Sequence, residues 1–196
     1  MIIWVNGAFG AGKTHVSHEL LRRLGRGWVS DPEPLGFGVQ RMLPPDLRSD
    51  FQDEPLWRTG VREVLGRIAT RRPDDLVVVP MTLVVPEYFD EIVGRLRTDG
   101  HDVRHFALRA SADTIRRRLR IRGLGLRDLW AEQQIDRCVA ALARPELAVG
   151  IDTDARSLDQ VVEQIAGRLQ VELVNPRLRG PRRLARRIAV TARHIR

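Results

Sequence analysis

Lysine is almost absent from this chain of 196 residues: Lys13 is the single example, and every other basic position is arginine. Such a bias resembles GC-rich codon usage, so most of the arginines read as ordinary surface charge. The one lysine stands where, as shown below, chemistry requires it. Cysteine is equally scarce. Cys138 alone excludes an internal disulfide and fits a reducing cytoplasm. No apolar run is long enough to span a bilayer, the longest (76–80) being strand-sized. Met1 leads directly into Ile2-Ile3-Trp4-Val5 without a positive n-region or a small-residue cleavage site, so no secretory signal is expected. Acid is missing from residues 173–196, which hold eight arginines. The formal net charge of +8 therefore lies wholly in that tail, and the body is neutral.

What is present is the material of an α/β fold. Hydrophobic residues make up 43% of the chain, ordinary for a soluble domain, and the length suits one sheet covered by helices on both faces. Short apolar runs alternate with helical periodicity, which argues for a parallel sheet. Strands are expected at 2–6, 28–31, 76–81, 103–108 and 148–152. Helical stripes run through Val16, Leu20 and Leu24; through Phe89, Ile92, Val93 and Leu96; through Ala131, Ile135, Val139 and Leu142; and through Leu158, Val161, Val162, Ile165 and Leu169. Ser157 with Gln160 makes a capping box for the last of these, and Ser111 a cap for the helix that begins at Ala112. Residues 1–175 form the domain, and 176–196 a basic amphipathic C-terminal helix. Residues 32–60 carry Pro32, Pro34, Pro44, Pro45 and Pro55, so no long regular structure is expected there. Phe37, Phe51 and Trp57 would anchor that stretch, either as a pocket wall or as a surface loop.

The segment Gly7-Ala8-Phe9-Gly10-Ala11-Gly12-Lys13-Thr14 satisfies G-x-x-x-x-G-K-S/T between an apolar strand and an amphipathic helix. Glycines let the backbone curl so that its N–H groups face phosphate oxygens, and the helix adds its positive end. Lys13 supplies a mobile cation for the β and γ phosphates of ATP, and Thr14 a hydroxyl for Mg²⁺. Asp31 and Glu33 follow the second strand in Ser30-Asp31-Pro32-Glu33. Strand carboxyl ends converge on the ligand in a doubly wound sheet, so Asp31 can take a hydroxyl proton or hold the metal through water. The competing role for Asp31 is to cap the turn before Pro32. The third strand ends in Val79-Pro80-Met81-Thr82, without the acid usual for metal binding in larger P-loop ATPases, which counts against a motor or a GTPase switch.

Arg118 and Arg122 share one face of the helix beginning at Ala112, four residues apart, where a lid would bring them onto transferring phosphate. Gly123 and Gly125 would hinge it. His15 and His18 have a metal-ligand spacing but no third partner in the sequence, and read as surface histidines. Cys138 falls on an apolar stripe and reads as core. In the tail Leu184, Ile188, Thr191 and Ile195 share a face, with Arg186 and Arg193 opposite. Such a helix can lie on an anionic membrane or dock on its own domain. Without aromatics to stack on bases, nucleic acid is not expected as a partner.

These residues together resemble the bacterial tunicamycin-resistance proteins. The likeness rests on 3–14, Asp31-Pro32-Glu33, Phe51-Gln52, Pro55-Leu56-Trp57-Arg58, Pro80-Met81-Thr82, Pro86-Glu87-Tyr88-Phe89 and Gln134-Ile135-Asp136-Arg137-Cys138, and it covers essentially the whole chain. It implies a P-loop NTPase with a five-stranded parallel sheet, like that of nucleoside-monophosphate kinases, and kinship with antibiotic kinases such as chloramphenicol phosphotransferase. On that resemblance Lys13 and Thr14 serve phosphate and magnesium, and Asp31 occupies the base position. Trp57, Arg58, Met81 and Thr82 would border the substrate, joined by Glu33 from its place after the second strand, and the basic tail would approach the inner face of the membrane. The segment Gly123-Leu124-Gly125-Leu126-Arg127 matches only loosely. Two functions follow as expectations: a cytoplasmic phosphotransferase acting on a hydroxyl of a uridine-type nucleoside antibiotic, or an ATP-dependent protein that sequesters the drug.

Overall fold

The computed structural model describes residues 1–122, 129–144 and 149–194. Five strands form one parallel sheet: β1 (Ile2–Gly7), β2 (Trp28–Val29), β3 (Val77–Pro80), β4 (Val103–Arg109) and β5 (Val149–Asp152), in the order β2-β3-β1-β4-β5. Ile2 pairs with both Val77 and Val103, which centres β1 between its neighbours. All five expected strands are present with shifted ends. β2 is the shortest, although the Ser30 N–H still donates to the Val78 carbonyl at 2.9 Å before Pro32 ends the ladder.

Every residue of β1 is buried, so the period of two divides its side chains between two cores. Ile2 and Trp4 meet Val77, Val79 and Val103 beneath α3 (Pro55–Arg71), with Trp57, Val61 and Leu65. The helical run over 86–98 closes that side. It consists of α4 (Pro86–Phe89), a π-helical turn (Asp90–Gly94) and α5 (Arg95–Thr98). Ile3 and Val5 face the other way, with Phe106, Leu108 and Ile151, onto α1 (Lys13–Leu24) and α8 (Leu158–Leu169). α6 (Ala112–Arg122) and α7 (Leu129–Leu142) cover a third cluster of Ala8, Ala107, Ile115, Ile135 and Cys138. The capping box of Ser157 and Gln160 is formed, and the Thr114 N–H donates to Ser111 Oγ at 3.3 Å. Ala148 and the side chain of Ala131 lie outside the described residues.

The expectation for residues 32–60 is corrected. Glu33–Met42 forms a ten-residue helix, α2, and α3 starts at Pro55. Pro32 is the N-cap of α2, Pro34 lies in its first turn and Pro55 opens α3. Prolines there remove only N–H groups that have no helical acceptor, so these mark helix starts and not breaks. The aromatic anchors do gather: the Phe51 ring lies 5.5 Å from Phe37 and 5.3 Å from Trp57.

The basic tail forms α9 (Gly180–His194), which lies along α1. Val190 is buried, Arg186 donates to the His18 carbonyl at 3.3 Å, and Thr191 Oγ1 lies 3.4 Å from His15 Nε2. Leu184 and Ile188 are about 60% exposed and face outward. Ile195 and the side chain of Arg193 lie outside the described residues.

Candidate functional site

β1 ends at Gly7 in the middle of the sheet, and the chain turns there into the loop that delivers Lys13 to the start of α1. Gly10 and Gly12 have φ of 82° and 98°, a left-handed conformation that side chains resist. At Gly10 a Cβ would also stand 3.0 Å from Leu119 of α6, so this loop lies directly under α6. Gly12 is the N-cap of α1, which puts the first-turn N–H groups and the helix dipole at the loop. Lys13 is buried, and its ammonium donates to the carbonyls of Gly7 at 3.0 Å and Ala8 at 3.2 Å. Its Nζ lies 5.2 Å from the centre of the Phe9 ring. Thr14 is half-buried one residue further on.

A network of buried polar groups holds this loop to β3 and beyond. Asn6 accepts from the N–H of Gly7 at 2.8 Å and of Leu83 at 3.0 Å, and donates to the Leu83 carbonyl at 2.6 Å. Trp4 Nε1 donates to the Met81 carbonyl at 3.1 Å. Thr82 Oγ1 donates to the Gly7 carbonyl at 2.8 Å, and Gln52 Nε2 to the Thr82 carbonyl at 3.0 Å. The chain of contacts thus runs from Gln52 through Thr82 and Gly7 to Lys13.

Trp57 and Arg58 support the same region from α3. Trp57 is fully buried and donates to the Pro32 carbonyl at 3.0 Å, pinning the start of α2. Arg58 pairs with Glu91 at 2.6 Å, donates to the Gln52 carbonyl, and stacks 4.3 Å from the centre of the Tyr88 ring. Met81 is buried. Trp57, Arg58, Met81 and Thr82 therefore belong to one continuous assembly beside the loop. Their present partners are protein groups.

Asp31 is half-buried at the end of β2, and its Oδ1 accepts from the Glu33 N–H at 3.0 Å. This bond closes a turn across Pro32, the N-cap residue of α2. Glu33, also half-buried, begins that helix. Arg118 turns to the segment after β5, donating to Thr153 Oγ1 at 3.0 Å and to the Thr153 carbonyl at 2.7 Å. Burial lowers its pKa. The side chain of Arg122, and Gly123, Gly125 and Arg127, lie outside the described residues, so the proposed clamp and hinge do too.

Several members of the assembly receive no site role from the sequence. Asp50 caps the 3₁₀ turn Phe51–Asp53 by accepting from the Gln52 N–H at 3.0 Å, and burial raises its pKa. Tyr88 Oη bonds Asp53 at 2.8 Å. Burial also raises the pKa of the Cys138 thiol, against the opposing charges of Lys13 and Arg137. Cys138 of α7 thus feels the charges of both the loop lysine and Asp50, and Arg137 that of Asp50. Among the described residues no three His, Cys, Asp or Glu side chains gather as a metal cluster. A magnesium ion carried by nucleotide phosphates needs fewer protein ligands, and the Thr14 hydroxyl at the head of α1 fits that role.

Comparison with known proteins places this geometry. Residues 2–145 match the family model described as AAA domain. The tunicamycin resistance protein of Deinococcus radiodurans has a similar structure, with TM-score 0.75 and 30% identity over 89% of this chain and 98% of that one. The Mycobacterium tuberculosis APS kinase CysC in complex with AMPPNP and APS superposes with TM-score 0.61 at 20% identity, over 86% and 96% of the two chains. A gluconokinase from Sinorhizobium meliloti gives 0.59 at 18%, over 86% and 94%. At these identities the two kinases share the fold. Among curated proteins, none matches in sequence.

Proposed function

Because the chain belongs to the AAA-domain family and, within it, to the bacterial tunicamycin-resistance proteins, we propose that this kinase-like domain binds Mg-ATP and phosphorylates a hydroxyl of a uridine-type nucleoside antibiotic. The carrying observation is the loop itself: the chain's single lysine is buried against the Gly7 and Ala8 carbonyls at the mouth of α1. Incoming phosphates would offer that ammonium a stronger, charged acceptor than the carbonyls it now holds. Thr14 would hold the metal, which screens phosphate charge when bound. Asp31, Glu33, Trp57, Arg58, Met81 and Thr82 would receive the acceptor, and Asp31 would take the hydroxyl proton. Arg118 and Arg122 would steady the transferring charge, which requires Arg118 to leave Thr153.

Incubation with Mg-ATP and tunicamycin, read by mass spectrometry, tests this directly. An added phosphoryl group supports transfer. Tight drug binding with no mass change supports sequestration, a reading favoured by the engagement of the Asp31 carboxylate with the Glu33 N–H. In the transferase, Asp31→Asn should keep ATP affinity within a few fold and lower turnover by roughly 10²-fold or more. Equal turnover would remove Asp31 from the reaction.

The reading includes a peripheral contact with anionic membrane through α9, supported by the outward Leu184 and Ile188 beside the arginines of an acid-free tail. Among the described residues no helix is long and apolar enough to cross a membrane.

A further inference from the structure

Between α9 and the first turns of α1 and α8 lies a crevice open to solvent, on the opposite side of α9 from Leu184 and Ile188. Arg183, Arg186 and Arg187 line it from one helix, and His15 and His18 from another. Guanidinium groups carry five N–H donors each. Among the described residues Arg186 gives a single hydrogen bond, at 3.3 Å to the His18 carbonyl. Arg183 meets Asp159 only at 3.8 Å, and Arg186 meets Glu19 only at 3.8 Å, both too long for hydrogen bonds. Among the described residues Arg187 pairs with no carboxylate. Glu19 is already held by Arg22, at 2.6 and 3.0 Å, so its charge is answered before the tail arrives. The crevice therefore carries excess positive charge and a surplus of planar donors over acceptors.

We propose that this crevice is a binding site for a phosphate oxyanion, separate from the nucleotide loop. A tetrahedral oxyanion offers several acceptors at once and suits forked guanidinium donors better than the two distant carboxylates do. Leu158, Leu178 and Val190 on the same walls would tolerate an apolar substituent beside the charged head. The chemistry is that of a phosphomonoester, whether a free solute or a lipid headgroup. Its occupant would bridge α9 to α1 and so fasten the tail to the body.

Calorimetric titration of the full chain with inorganic phosphate, and separately with short-chain dihexanoyl phosphatidate kept below micelle formation, tests this. Two variants locate the site: Lys13→Ala disables the loop, and Arg183→Gln with Arg187→Gln disables the crevice. Binding is expected to survive Lys13→Ala and to weaken about tenfold or more in the arginine pair, which removes two charged donors. Response to phosphate identifies a free solute as a sufficient ligand, and response to phosphatidate alone identifies a headgroup. In the unaltered chain the effective probe should also slow tryptic cleavage within α9, a readout that needs no variant. The proposal is overturned by failure of both probes, by absence of this protection, or by binding lost in Lys13→Ala and kept in the arginine pair. Loss of binding on replacing Leu184 and Ile188 by serine would overturn it too, since those residues face away from the crevice.

Discussion

Lys13 holds the Gly7 and Ala8 carbonyls in the structure, and the Gly7 carbonyl also accepts from Thr82. Removing the ammonium therefore leaves that oxygen with a partner, and Lys13→Ala is expected to fold while losing productive ATP binding. No second lysine exists to replace it, and arginine is not equivalent as a compact, mobile charge. Nucleotide titration with a parallel thermal melt checks this; a folded variant that binds ATP as well as its parent would refute the role. Asn6 is a different kind of residue, wholly buried and bonded to both sides of the loop–β3 junction. Asn6→Leu would bury the N–H groups of Gly7 and Leu83 without their acceptor, at about 1–3 kcal/mol each. Urea denaturation should show a loss of roughly 3 kcal/mol, and a loss under 1 kcal/mol would mean that the junction repacks. The two residues also differ in legibility. Lys13 stands out because phosphate binding prescribes glycines, a lysine and a helix start at fixed spacing. Asn6 and Gln52 act through contacts with residues far away in the chain, which no local pattern records.

Along the elements the same contrast recurs. The strands and the stripes of α1 and α8 were readable because burial imposes periods of 2 and 3.6 on apolar residues. α2 is not legible because prolines read as breakers in sequence, whereas their place at its N-cap and first turn makes them starters. Packing then fixes α2 against its neighbour: a Cβ at Gly36 would stand 2.4 Å from the Phe51 ring. Gly36→Ala should therefore displace Phe51 and destabilise by about 1–3 kcal/mol. A neutral result in a urea melt would show that the ring has room to move. α8 anchors the tail through Glu163, which accepts from Arg177 at 2.6 Å and from Arg23 at 2.7 Å. The Arg177 bonds, followed by those of Arg23, hold the Glu163 carboxyl below its ordinary value despite partial burial. Folding thus favours the charged form. Its stabilisation is complete above the ordinary glutamate pKa and is lost as pH falls from there through the lowered folded value. Glu163→Gln should flatten this part of the acid limb in thermal melts, and coincident limbs for the two chains would show that the tether carries no linkage.

For the molecule as a whole, the tail raises the question of how an arginine-rich helix can both rest on its domain and reach a partner. Docking and surface binding entered as alternatives, but α9 offers different sides to the two. Val190, Arg186 and Thr191 face α1, while Leu184 and Ile188 point outward. The body does not depend on α9 for its principal cores, whose residues all precede the helix. Asn175, moreover, is pinned to α1 before the tail begins, through the Arg22 carbonyl at 2.8 Å and the Arg23 carbonyl at 3.0 Å. Truncation after Pro176 should consequently leave a folded, ATP-binding body. The cost would be the burial of one valine and a few exposed ion pairs, about 1–3 kcal/mol. At this chain length that lowers the melting temperature by roughly 2–4 °C per kcal/mol. The full chain should sediment with anionic liposomes and be released by salt, because each arginine near the surface adds about 1 kcal/mol that is screened over about 8 Å. Replacing Leu184 and Ile188 by serine should abolish sedimentation with no change in the melt, since both side chains are already exposed. If the serine variant sediments like its parent, the apolar face has no part in membrane contact. If instead the truncated chain aggregates, α9 covers a surface that the body cannot leave open, and the helix belongs to the fold.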